Sequence, residues 1–450
     1  MTSVLVVGGG IAGLVAARSA ALAGADVVLL EGAERLGGAV AGIELAGVPV
    51  DTGAESLAAR GGTALALLSA LGLTPVPPAP SGAWLQNARG AYPLPAAGVL
   101  GIPAFPLAAD VRAVIGTRAA MRAWADRLLP ELTVGRERNL GALVRRRMGA
   151  RVLEELVAPV VGNVYAVNPD EADVESLVPL LNGELTRTGS LSSAVLALRA
   201  AAPAGSAVVG LPGGMVTLVA ALERELGRFG VGTRTGSPVT AVERVGEKWR
   251  VQTAAEALEA DRVVVASDGA SARALLAPLL PAAPLAGWPE PHGTTVVSLV
   301  LDAPSLDSFP RGSGVLVARG VDSVAARALT HSSAKWPWLA ALLPPGRHVV
   351  RLSYRTVAGF GSRPIDAGDL ALSDAARLLD VRRTELNLVD WAITEWRQES
   401  QRALLGVRAR IEAVRAAALG LEGLDLTGAW LAGTGLASVI ADADRAGRGD

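Results

Sequence analysis

Residues 3–31 read SVLVVGGGIAGLVAARSAALAGADVVLLE, and the order of its three parts decides the fold. Val4–Val7 is an uninterrupted apolar run, the pattern of a strand buried on both faces of a parallel sheet. The glycines that follow open a stretch of helical spacing, and Asp26–Leu30 gives a second apolar strand ending at Glu31. Strand, helix and strand within about 30 residues make a βαβ unit. Gly8-x-Gly10-x-x-Gly13 falls where the first strand hands over to the helix. Gly8 permits the tight turn, Gly10 lets the backbone approach a pyrophosphate, and Gly13 lets helix and sheet pack closely. The helix start, from Gly9 through Ile11 and Ala12, offers free amides and a positive dipole end to phosphates. Glu31, 18 residues past Gly13, is placed to accept hydrogen bonds from both ribose hydroxyls. A carboxylate there repels a 2′-phosphate, so FAD or NAD is favoured over NADP.

The composition bounds what surrounds this unit. A chain of 450 residues implies two or more domains, or one large domain with insertions. Half of it is hydrophobic and 19% is charged, which supplies a large core and excludes a disordered chain. The 42 basic and 43 acidic side chains nearly cancel, against the basic excess of a nucleic-acid binder. With no cysteine there are no disulfides, iron–sulfur clusters, thiolate zinc sites or cysteine nucleophiles. His292, His331 and His348 stand in unlike contexts, so no metal site is expected. The chemistry is therefore expected from something the protein holds. Mean hydropathy is high, at +0.38, and residues 90–109 and 200–222 carry no charge. Pro93, Pro95, Pro103 and Pro106 interrupt the first stretch, and Pro203, Pro212 and Gly213-Gly214 the second, so neither is expected to span a membrane. Such loops can line an apolar pocket or touch a membrane surface. No basic region precedes the first strand, so no signal peptide is expected.

Further along, helical spacing covers 61–73 and most of 112–175, then resumes at 215–227 after a Gly/Pro break. Strand-like segments follow at 236–242, 249–253 and 262–266. Residues 293–360 alternate like an antiparallel sheet, and a helix at 406–419 leads into a glycine-rich tail. The pattern predicts two domains interleaved along the chain.

Two strings after Glu31 choose between the dinucleotides. Glu34-Arg35-Leu36-Gly37-Gly38 and VDTGAES (50–56) resemble flavoprotein oxidases of the amine-oxidase and protoporphyrinogen-oxidase superfamily. Within it the chain is similar to the oxygen-dependent porphyrinogen oxidases, above all the coproporphyrin-forming bacterial coproporphyrinogen III oxidases. The similarity runs in order through GAESLAAR (53–60), YPLPAAGVLGIP (92–103), LVRRRMGARVLEELVAPVVGNVYAVNPDEADV (143–174), LPGGMVTLVAAL (211–222), AKWPW (334–338) and TGAWLAGTGLASVIADADRAG (427–447).

The resemblance implies an α/β fold in which a Rossmann-like FAD-binding domain (1–75, 205–275 and 400–450) is interleaved with an α+β substrate-binding domain. The latter's antiparallel sheet would lie at 285–395, with a mainly helical insertion at 80–200 on the substrate and membrane side. FAD would be held by Gly8, Gly9, Gly10, Ile11, Ala12, Gly13 and Glu31, then by Gly37, Gly38, Gly53, Ala54, Glu55 and Ser56, and by Val239, Trp396, Gly433, Thr434, Gly435 and Leu436. The implied reaction is hydride removal from a porphyrinogen methylene bridge to flavin N5, three times over, with dioxygen reoxidising the flavin to give peroxide and a porphyrin. No catalytic side chain is implied, because the cofactor carries the hard step. Arg60, Lys335 and Arg89 are the candidates for the substrate's carboxylates, since basic groups at a pocket mouth bind them. Tyr165 is the further substrate candidate; Arg145-Arg146-Arg147 reads as solvated or locally paired. The implied setting is the cytoplasm and the haem pathway, with peripheral membrane contact and transient contact with the next pathway enzyme left open. The sequence departs from the family at Ala39, where a basic or larger residue is usual, and at Ala403 and Val407, which replace a tyrosine and a histidine. Asp442 stands where a small residue is usual. Protoporphyrinogen oxidation, an amine oxidase or carotenoid-type desaturase activity, and a non-catalytic flavin- or porphyrin-binding role remain as alternatives.

Overall fold

The computed structural model describes residues 1–59, 62–129, 137–201, 208–356, 364–398 and 402–449, without the side chains of 364–366 and 398. Its first sheet is parallel throughout, with strands in the spatial order Gly232–Arg234, Asp26–Leu30, Ser3–Val7, Arg262–Val265 and Leu424–Leu426. Taken in chain order this is 3-2-1-4-5, the doubly wound arrangement. The central strand alternates as a two-sided strand must. Val4 and Val6 enter one core with the helices Ile11–Leu22, Val216–Arg228 and Leu436–Arg448, while Leu5 and Val7 enter another with Gly269–Leu276 and Val407–Leu419. Between the second and third strands the chain leaves this sheet at Leu30 and returns at Gly232.

A second sheet of seven strands runs Asn387–Gln398, His292–Asp302, Arg347–Arg355, Ala328–His331, Gly314–Val317, Trp84–Asn87 and Gly90–Pro93. Its neighbours are antiparallel except for the parallel pair Gly314–Val317 and Trp84–Asn87. The hairpin 84–93 lies in the stretch read from sequence as a helical insertion, yet it closes this sheet's edge. One face, through Val297, Leu299, Val350 and Leu352, packs on the helix Pro364–Leu379. The opposite face, through Val300 and Val349, meets the hairpin Gly42–Leu45/Val48–Asp51 and Trp336. That second face is the joint with the parallel-sheet domain, and it positions the site.

The insertion proper is helical and has its own core, centred on Leu140, Leu143, Val144, Val152 and Leu156. Its helix Leu140–Met148 begins at Asn139, whose side chain accepts the Ala142 amide at 2.7 Å. Arg145-Arg146-Arg147 splits three ways. Arg145 pairs with Asp170 at 2.9 Å and Arg146 with Glu137 at 3.4 Å, both at the surface. Arg147 departs from the expectation of a solvated or locally paired run: it is buried, pairs with buried Asp126 21 positions away, and donates to Gly189 O at 2.6 Å. Among the described residues no helix is long and apolar enough to cross a membrane.

Candidate active site

The first strand and the strand Leu424–Leu426 both point their C-terminal ends at one edge of the parallel sheet, and each leads to a helix start there. The helix Ile11–Leu22 begins at Gly10 and the helix Leu436–Arg448 at Gly435, and neither start is capped by a side chain. In an open α/β sheet this edge is where ligands bind. The helices lie close enough that a Cβ on Gly447 would come within 2.4 Å of Ala16 O.

The glycine turn has the sterics its spacing predicts. A Cβ on Gly13 would sit 1.7 Å from Gly8 O, and one on Gly8 (φ 107°) would meet the Ala266 backbone at 2.8 Å. A Cβ on Gly9 would meet Leu36 at 2.4 Å. Gly10 forms a bridge with Gly37, and the Gly37 amide donates to Gly9 O at 2.9 Å, so the second glycine pair is tied to the first turn. Gly38 follows, and Arg35 donates to its carbonyl at 3.2 Å. A basic side chain therefore reaches the turn at which Ala39 departs from the family pattern. Glu31 accepts from the Gly9 amide at 2.5 Å and from the Ala33 amide at 2.7 Å, which fixes its carboxylate at the strand end beside the turn. Ser237 donates its amide to Glu31 O at 2.8 Å, bringing the segment that ends in Val239 against the same strand end.

The loop 52–56 is the second wall. Gly53 lies so close to Ala39 that a Cβ would be 1.9 Å from Ala39 O, and the Ala54 amide donates to that carbonyl at 3.0 Å. Trp396, from the second sheet, donates its indole N–H to Thr52 O at 2.7 Å. Arg351 donates to Gly53 O at 3.0 Å. Glu55 is the anchor of this loop: it accepts from Trp336 Nε1 at 2.7 Å and Ser332 Oγ at 3.1 Å, and lies 3.3 Å from both Lys335 Nζ and Arg351 Nη1. Burial alone would raise its carboxyl pKa, but Lys335, Arg351 and the indole together hold it below the usual value. Asp51 is the opposite case. Burial raises it to about 6, against the Met215 amide and Arg351, with the Glu55 charge adding to the rise. Ala54 and Ser56 flank this anchor, half-buried.

The substrate candidates fare differently. Arg60 lies outside the described residues. Lys335 is met by Glu55, so its charge fastens the loop 52–56; Arg89 is met by Glu155. Tyr165 ends the helix Ala158–Val164, and its loop lines a cavity of about 510 Å³ through Gly162, Asn163, Ala166 and Val167, although its own side chain is not part of the lining. That cavity also carries Arg319, Arg327 and Arg355, which no sequence motif singled out. Val407 is core, 2% exposed, and the Ala403 carbonyl accepts the Asp173 amide at 2.6 Å. Val407 thus packs in the core beneath the parallel sheet, while Ala403 packs the tail against the helical insertion. Asp442 is a buried tie, accepting from Thr427, Arg415 and Arg445 at 2.8, 2.6 and 2.7 Å. His331 and His348, read as standing in unlike contexts, are in contact: Nε2 of His331 lies 3.1 Å from Nδ1 of His348, whose Nε2 lies 3.0 Å from Asp307. Among the described residues no group of three His, Cys, Asp or Glu side chains could hold a metal ion.

A crevice in which Gly8 and Gly13 leave no room for a Cβ, with two uncapped helix starts and a fixed carboxylate, fits a dinucleotide with an unphosphorylated ribose. The family model for flavin containing amine oxidoreductases matches residues 11–449, and the chain belongs to that family. It is an FAD-dependent oxidoreductase. Within the family it is similar to proteins named coproporphyrinogen III oxidase. The one from Bacillus subtilis is 27% identical over 97% of this chain and 95% of its own length; the one from Mycobacterium tuberculosis is 31% identical over 99% and 96%. An Exiguobacterium protein of known structure, provisionally named a protoporphyrinogen oxidase, superposes with a TM-score of 0.86 at 26% identity, covering 100% of this chain and 98% of that one.

Proposed function

We propose that this protein oxidises coproporphyrinogen III to coproporphyrin III in haem biosynthesis, with dioxygen as the terminal oxidant. What supports the reading is a tight glycine turn beside a fixed carboxylate, in a chain that is similar, nearly end to end, to proteins named for that reaction. When bound, FAD supplies the hydride acceptor and, on reoxidation by dioxygen, yields peroxide. The protein's part is to bind, orient and keep water out. Gly8, Gly10 and Gly13, with the helix start at Ile11, would seat the diphosphate, Glu31 the ribose, and the helix start at Leu436 the flavin end. Trp396 and Arg351 hold the carbonyls of Thr52 and Gly53, and the Glu55 cluster keeps that loop rigid. Lys335 and Arg351 balance the Glu55 charge, so that this carboxylate is not left buried and unpaired.

The test is a side-by-side aerobic assay of FAD-loaded protein on coproporphyrinogen III and protoporphyrinogen IX, reading porphyrin fluorescence and peroxide together. Faster turnover of the first substrate is expected. Conversion no faster than autoxidation on both would favour a non-catalytic porphyrin- or flavin-binding role, and preference for the second would reassign the substrate.

A further inference from the structure

The cavity beside the Tyr165 loop lies where the helical insertion meets the second sheet, and its charge is one-sided. Arg319, Arg327 and Arg355 line it together with His292, against the single carboxylate of Glu171. Among the described residues no ion pair joins any of the three arginines to a carboxylate. Arg327 is half-buried and donates to Gly162 O at 2.8 Å, which fixes its guanidinium at the cavity wall. Burial, then the like charges of Arg355 and Arg319, hold its pKa below the usual value. Three cations that form no ion pair among the described residues repel one another, and an arrangement of that kind is relieved by an anion that enters the space between them. Guanidinium groups suit carboxylates in particular, because the planar fork gives two parallel hydrogen bonds.

The cavity is also on the correct side of the sheet. Arg355 pairs with Thr294, and Thr294 pairs on its other side with Trp396. Residues opposite one another on adjacent strands share a face. Arg355 therefore stands on the same face as Trp396, whose indole holds the loop at Thr52.

We propose that Arg319, Arg327 and Arg355 form the carboxylate subsite of the substrate, receiving the propionate-bearing edge of the tetrapyrrole. This rests on the porphyrinogen reading above and deepens it.

The test separates binding from turnover. FAD-loaded protein is titrated with coproporphyrin III and with its tetramethyl ester, following the porphyrin absorption band, for the parent, R319Q, R355Q, the double variant R319Q/R355Q, and R327Q. The parent is expected to bind the acid more tightly than the ester, with the difference shrinking as salt is raised. Each exposed arginine replaced weakens acid binding roughly three- to tenfold, discounted for solvent screening, and R327Q weakens it about ten- to a hundredfold. Ester binding stays at the parental value, and R355K restores part of the loss. In turnover the KM for coproporphyrinogen rises while kcat holds. Arg319 and Arg355 are exposed, so their variants keep the fold and the FAD content against which R327Q is judged. Equal affinity of the parent for acid and ester, or parental acid binding by the double variant, overturns the subsite. Arginine-dependent acid binding by a protein that does not turn over supports the subsite while overturning the proposed reaction.

Discussion

Gly13 leaves room and Glu31 supplies charge, and the two can be tested apart. A methyl group at Gly13 would meet the Gly8 carbonyl, a backbone atom that cannot swing away. Gly13→Ala is therefore expected to give protein without flavin, recognised by its missing visible absorption after reconstitution. Glu31→Ala leaves that packing intact and removes charged acceptor positions, so FAD affinity is expected to fall by roughly 1.5–3 kcal/mol, about ten- to a hundredfold. A fluorescence titration giving parental affinity would remove Glu31 from the site. These residues were legible because their constraints are local: the clashes and the turn lie within one βαβ unit. Lys335 was not legible, since its partner Glu55 lies 280 positions away and only the fold brings them together. The arginines at 319, 327 and 355 carried no signal at all. What distinguishes them is that none pairs with a carboxylate among the described residues, and that is a property of the folded neighbourhood.

At the scale of elements, the helix Leu140–Met148 was readable as a helix, but the fate of its basic run was not. Successive residues on a helix point about 100° apart, so three adjacent arginines must face three environments. Which one faces inward depends on what lies across from it, and here that is Asp126 in the short 3-10 turn Ala125–Leu128. Asp126 also accepts the amides of Leu191 and Ser192 at 2.5 and 3.4 Å, joining three elements through one carboxylate. Burial raises its pKa, while Arg147 and those amides pull it down. Arg147→Met is expected to leave that charge buried and unpaired and to cost about 3–5 kcal/mol. Arg145→Met, which breaks only the exposed pair with Asp170, is expected to cost less than about 1 kcal/mol. Thermal unfolding of the two variants side by side decides the point, and equal melting temperatures would deny Arg147 its structural place. The hairpin at 84–93 was missed for a related reason. Its four-residue strands are short, and the one that joins them to the sheet, Trp84–Asn87, finds its other partner beyond position 300, at Gly314–Val317.

For the whole molecule, the joint between the parallel sheet and the second sheet is built from segments distant in sequence: Val48 and Val50 pack there with Val300, Trp336 and Val349, and Glu55 binds Ser332 and Lys335. The strand Ala328–His331 ends at this joint and runs directly into Ser332 and Lys335, which hold Glu55. His331 is fully buried there, against His348. Burial, with a smaller push from His348, lowers its pKa to about 3, and burial lowers that of His348 as well. Both rings are thus neutral in the folded protein at pH values where the unfolded chain already takes up protons. The unfolded state binds the extra proton below about pH 6.5, so the stability contributed by neutral His331 is whole above that value and is lost as pH falls toward about 3. Each such proton costs about 1.4 kcal/mol per pH unit. His331→Asn removes one of them. Its stability deficit relative to the parent is therefore expected to narrow by about 2 kcal/mol between pH 7 and pH 5, as measured by denaturant titration at each pH. His348 keeps its share of the slope in both proteins, so the difference isolates His331. Parallel stability curves over that interval would mean that His331 is protonated in the fold. The acid lability would then have to come from carboxylates such as Glu55, whose folded pKa is also held below its unfolded value.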